Sequence, residues 1–164
     1  MSIVGALDSI AVKVETLSGM KRCYSATGSG ISESVRPIPR GIDDGPVAVV
    51  WIGAADVEGG AHEGLAIDMR LDVWAQSDDA GWAYKTLTAF LEPLAAAFRG
   101  NMTLDGEVTR CQFLGWDEPR VEEVNGRMYL VLPVRIGVLI NTFSSDASAS
   151  IGPSFGQAFD LAYN

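Results

Sequence analysis

Histidine and cysteine are scarce, and that scarcity limits the chemistry available. The chain of 164 residues holds one histidine, His62, and two cysteines, Cys23 and Cys111. A zinc site of the usual Cys/His kind could be assembled only from these three, and none has CxxC-type spacing. Both cysteines stand in apolar segments that read as strands, which predicts reduced, buried thiols rather than a disulfide. Basic residues are also short: 12 Lys and Arg against 21 Asp and Glu give a formal net charge of -9. That balance excludes a broadly phosphate-binding surface. It fits a soluble protein, or an acidic surface that nucleic acid passes without sticking. No uninterrupted apolar run reaches the roughly 18 residues of a membrane span. Met1-Ser2-Ile3-Val4 lacks the basic start of a signal peptide. The expected compartment is therefore the cytoplasm, with no membrane partner.

Catalytic signatures are missing as well. There is no Gly-rich phosphate loop, no pair of metal-binding histidines and no nucleophile elbow. Gly28-Ser29-Gly30 is too short for a dinucleotide fingerprint, and no predicted helix follows it. Asp43-Asp44, Asp78-Asp79, Asp117-Glu118 and Glu122-Glu123 are adjacent carboxylates. Neighbours on a strand point to opposite faces, so these read as turns or caps rather than acid/base dyads. His62 beside Glu63 has no evident nucleophile or metal partner and reads as solvated.

What the chain does contain is strong periodicity. With 48% apolar and 20% charged residues it can bury a proper core, and its length suits one domain. Leu65, Ile67, Met69, Leu71 and Val73 alternate with Ala66, Asp68, Arg70, Asp72 and Trp74, which predicts a strand with one buried face. Ser77 then offers an N-cap, and Trp82, Leu87, Phe90, Leu91, Leu94 and Phe98 form a helical stripe over 78–98. A strand passing straight into an amphipathic helix suggests a helix folded back onto a sheet. Pro93 either kinks that helix, or the helix ends near Leu91 and restarts with Pro93 in its first turn. Trp74, on the face opposite Met69 and Val73, is expected to be exposed at an interface, where tryptophan is enriched.

Elsewhere, Ile3, Leu7, Ile10, Val14 and Leu17 predict a helix over 2–18, stopped by Gly19. Residues 21–26 form a weak strand. Residues 27–46 read as a long loop carrying Arg36 and Arg40, either a mobile surface loop or an arm that orders on a partner. Val47 to Ile52 is a continuous apolar run, as in a central strand, and 54–63 a Gly-rich acidic loop. Residues 108–116 and 127–140 read as strands, with Asn125-Gly126 as a turn. Pro133 places the last strand at an edge or with one exposed side. From Asn141 onward a Ser/Ala-rich linker leads to Phe155, Phe159, Leu161 and Tyr163.

The element order is thus helix, weak strand, long loop, strand, loop, long strand, helix, strand, strand. Its segments include Lys21-Arg22-Cys23-Tyr24, then Gly45-Pro46-Val47-Ala48-Val49-Val50-Trp51, then the alternating strand from Leu65 to Ala75. The helix from Ala83 to Leu94 and the final Asn125-Gly126-Arg127-Met128-Tyr129 strand follow. Over about residues 2–140 this pattern resembles the tail terminator, or tail completion, proteins of long-tailed bacteriophages. The resemblance implies an α+β fold: a mixed or antiparallel sheet flanked by two helices, with long loops, over residues 1–140, and a C-terminal extension over 141–164. It implies a virion protein without enzymatic activity or cofactor, assembled in the host cytoplasm. A homo-hexameric ring would cap the tail tube protein, end tube growth and meet the head-tail connector, with DNA passing through the lumen unbound. Arg36 and Arg40, contacting acidic groups of a neighbour or the tube, and Arg70 and Trp74, packing against an adjacent subunit, are the candidate interface residues. A head-tail joining protein of the same neck region is the neighbouring alternative. A small-molecule or peptide-binding α+β module is the alternative of another class.

Overall fold

A computed structural model describes residues 2–26, 37–58, 64–100 and 103–141. Its centre is a long antiparallel pair, β3 (Gly64–Gln76) and β6 (Arg127–Asn141), matched residue for residue from Gly64↔Asn141 to Gln76↔Tyr129. β2 (Val47–Glu58) lies antiparallel on the other side of β3, and β1 (Arg22–Ser25) runs parallel to β2 at the margin. On the far side of β6 stand β4 (Arg110–Trp116) and β5 (Arg120–Val124), both antiparallel to it. The order β1-β2-β3-β6-β4, with β5 also on β6, makes a mixed six-stranded sheet among the described residues. The architecture is α+β.

One sheet face carries the core. Alternation along β3 sends Ile67, Met69, Leu71 and Val73 to that face, and β6 contributes Leu132, Val134, Ile136 and Val138. Three helices cover them: α1 (Ile3–Glu15), α2 (Ala80–Thr88) and α3 (Leu91–Gly100). Ser2 caps α1 by accepting from the Gly5 N–H, and Leu7, Ile10 and Val14 are fully buried. Removing side chains of this size from water stabilises by about 1.5–3 kcal/mol each. Gly19, at φ 87°, turns the chain from α1 toward β1 in the left-handed region that glycine adopts without steric cost. Both cysteines are free and buried on this side. Burial pushes the Cys111 thiol up to about 12 and the Cys23 thiol further still.

Several sequence expectations need correction. Of the two alternatives for the helix over 78–98, the restart holds, with Pro93 in the first turn of the second helix, where its missing N–H costs least; only the break differs, falling after Thr88 rather than near Leu91. Asp79, not Ser77, is the N-cap, accepting from the Trp82 N–H. The buried stripe is Ala83, Leu87, Phe90, Leu94 and Phe98; Trp82, one position out of phase with Ala83, is 53% exposed. Residues 54–58 are strand rather than loop, because β3 is long enough to pair with them. The short strand β5 was not expected. Pro133 is buried inside the sheet, paired with Asp72 of β3. Its backbone nitrogen faces the side where the chain leaves β4 and has not yet begun β5. The Pro133 carbonyl accepts from the Asp117 N–H at 2.9 Å, just past the end of β4. Residues 59–63, with His62, and the C-terminal extension from 142 lie outside the described residues.

Candidate interface

Among the described residues no helix covers the second face of the sheet. At the end where β3 finishes, the segment 37–45 crosses it, with a 3₁₀ turn at Ile42–Asp44. Beneath this segment Ile42, Val47, Trp74, Tyr129 and Val131 form a small second core. Trp74 is therefore 1% exposed, not at a surface, and its ring meets Tyr129 at 6.2 Å between centroids and 60° between planes. Period-two alternation put Trp74 on the correct face but could not show that a distant segment covers it. The Tyr129 hydroxyl donates to Asp43 at 2.5 Å, and Arg127 pairs with the same oxygen at 2.8 Å. The Tyr129 hydrogen bond, with that of Arg127 behind it, holds the Asp43 carboxyl below its usual range. Burial, assisted by the nearby carboxylate, pushes the Tyr129 phenol up. Arg40 is exposed on this segment and has no ion-pair partner among the described residues. With Pro39, Asp43, Arg127 and Tyr129 it lines a cleft of about 540 Å³. Arg36 lies outside the described residues.

The middle of this face is a ladder of charges. Arg70 and Arg135 stand directly across from one another on β3 and β6. Like charges so placed repel. Asp117 resolves the conflict: Arg70 donates to its Oδ2 at 2.7 Å, and Arg135 Nε stands 3.5 Å from Oδ1. Asp68 takes the other arm of Arg70 at 3.1 Å. One step along β3, Asp72 is only 1% exposed. Its Oδ2 accepts from Arg120 Nη2 at 3.0 Å and Trp51 Nε1 at 3.2 Å. Arg120 Nε donates to Glu122 at 2.7 Å. Arg70 is thus engaged within its own chain rather than free, and it is not brought together with Trp74. Asp72, Asp117, Arg120 and Arg135 were not among the candidate interface residues; the sequence placed Asp72 in the β3 alternation and read Asp117 as a turn or cap. The alternating Arg120-Val121-Glu122 was the one available signal for part of this ladder.

The sheet margins complete the surface. β1 pairs only with Val47–Val50. From Trp51 to Glu58 the outer side of β2 has no strand partner among the described residues, and neither has the outer side of β4. The two free edges lie at one level of the sheet, since Ile52, Met69, Ile136 and Phe113 form a single cross-strand row. Exposed apolar side chains gather along these margins: Val4, Val12 and Ile52 near β1 and β2, and Trp116, Val121 and Met128 near β4 and β5. Unpaired backbone beside exposed apolar groups is a template for another chain.

Among the described residues no group of His, Cys, Asp and Glu is arranged to hold a metal ion, and no helix is long and apolar enough to cross a membrane. No protein-family model matches the chain, and no curated protein is significantly similar to it.

Proposed function

We propose that the chain is a structural virion protein that forms a hexameric ring on the end of a phage tail tube, ends tube growth and joins the tail to the head connector. The observation that carries this reading is the pair of strand edges on opposite margins of one sheet that have no strand partner among the described residues. Two different, complementary margins on each copy give a heterologous contact, and heterologous contacts close into rings when the rotation per copy allows it. The α+β architecture agrees with what the resemblance to tail terminators implies. The net charge of -9 suits a lumen through which DNA passes without binding. The ion-paired arginines of the open face leave few free cations there for phosphates. Arg40, beside its cleft and without an ion-pair partner among the described residues, supports a contact with an acidic group on the tube or the connector.

The test is tube growth. Tail tube protein polymerises with and without the purified chain, and tube lengths are measured by electron microscopy. The proposal expects arrested tubes with extra mass at one end. Tubes of unchanged length with no bound chain would contradict it.

A further inference from the structure

We propose that the cleft between segment 37–45 and the turn joining β5 to β6 binds an acidic peptide, with Arg40 clasping a carboxylate and an apolar side chain seated beside it. That the peptide belongs to the tube or the connector rests on the virion reading; the binding itself rests on the cleft alone.

Two turns build the walls. On one side the chain runs through Ile38, Pro39 and Arg40 and reverses at Gly41, whose φ of 71° lies in the left-handed region. On the other, Val124 leads into Asn125 and Gly126, at φ 53° and 76°, a pair suited to a tight hairpin, and the chain returns through Arg127. The floor between them is apolar. Ile42 and Tyr129 belong to the small second core, and Ile38 and Val124 pack against it. The cleft measures about 540 Å³. Ligand sites commonly span about 300–1,000 Å³.

Charge selects the occupant. Arg40, Arg127 and Asp43 all line the cleft. Asp43 engages Arg127 through one carboxylate oxygen, which also accepts from the Tyr129 hydroxyl. Arg40 is exposed and has no ion-pair partner among the described residues. One guanidinium is therefore left over, on a chain of net charge -9. A carboxylate matches it, because the guanidinium fork fits two carboxylate oxygens. A phosphate dianion fits less well, since the Asp43 carboxylate in the same cleft repels it more strongly than a monoanion. A single free cation also gives no track for a nucleic-acid backbone. Asn125 is exposed on the opposite wall, and its side-chain amide has no hydrogen-bond partner among the described residues. An amide carries both a donor and an acceptor, the complement of a peptide unit. Apolar floor, free guanidinium and free amide together fit a peptide in which acidic and apolar residues adjoin.

The test uses the full chain and a capped pentapeptide of alternating leucine and glutamate, with the leucine-glutamine peptide as its neutral control. In a nuclear magnetic resonance titration the amide signals of Arg40, Asn125 and Arg127 should move. The acidic peptide should bind about tenfold tighter than the neutral one, or better. Arg40→Ala removes an exposed side chain with no ion pair to lose, so it should fold as the parent does and weaken the acidic peptide by about tenfold. Arg40→Lys should recover part of that loss, since it keeps the charge and loses the fork. Added sodium chloride should weaken the acidic peptide and leave the neutral one unchanged. Equal binding of the two peptides, full binding by R40A, or inorganic phosphate bound as tightly as the acidic peptide overturns the proposal. So does an Arg40-dependent self-association with no response to peptide, which gives the cleft to a second copy. A chain that takes the peptide through Arg40 yet leaves tube growth unchanged keeps the cleft and removes the virion reading. One that arrests tubes but ignores the peptide keeps that reading and overturns the cleft.

Discussion

Arg70 and Arg135 face each other across the central strand pair, and a single carboxylate, Asp117, lies against both. Asp117 is held in place by its own backbone N–H on the Pro133 carbonyl. Asp117→Ala therefore leaves two like charges opposed. These groups are partly exposed, so the expected loss is modest, about 1 kcal/mol. Adding Arg135→Gln to that variant should recover most of it. Urea unfolding of the two variants, at low and high salt, checks the claim, because screening shrinks the difference.

Asp72 is the buried counterpart of that network. Arg120→Ala should cost about 3 kcal/mol, because it takes the guanidinium away from a carboxylate that is 1% exposed. Asp72→Asn combined with Arg120→Ala should cost less than Arg120→Ala alone, since the buried charge goes with its cation. Denaturant unfolding of the three variants gives the comparison directly.

The two tryptophans on either side of Ser77 separate burial from position. Trp74→Ala removes a fully buried ring tilted against Tyr129 and should cost about 3–5 kcal/mol. Trp82→Ala removes a ring that is 53% exposed and should change the stability of the isolated chain by about 0.5 kcal/mol or less. Equal losses at the two sites would contradict the placement of α2.

The Asp43 contact predicts a pH response from two directions. Its hydrogen bonds lower the carboxyl below the unfolded value, so the stability it contributes is present above the ordinary Asp range and is lost as pH falls through the folded value. Tyr129 is raised, so its contribution is present below the ordinary phenol value of about 10 and is lost as pH rises through the folded one. Trp74 fluorescence reports both, because its ring packs on Tyr129. Asp43→Asn should remove the acid response and leave the rest of the acid unfolding curve in place.

The long periodic elements were legible in the sequence. Alternation over thirteen residues of β3 and fifteen of β6, and the stripe of α1, are set by local burial and need no knowledge of the partner. β5 was hidden because Arg120-Val121-Glu122-Glu123-Val124 is mostly charged; its strand geometry comes from pairing with β6 and from the ion pairs it makes. The burial of Trp74 depends on Ile42 and Tyr129, far away in the chain, and alternation carries no such information. Arg70 was singled out correctly as lying on the second face. Its partner Asp117 is 47 residues distant and meets it only because β4 and β3 flank the same strand. The free margins could not be read at all, since an edge is defined by which strands fail to pair.

The ring is the centre of the account, and its most direct test is the absolute mass of the full chain in solution. Light scattering and native mass spectrometry across a range of concentrations measure it. A ring predicts a discrete six-copy species that grows with concentration at the expense of the monomer. A chain that stays monomeric at every concentration would contradict it.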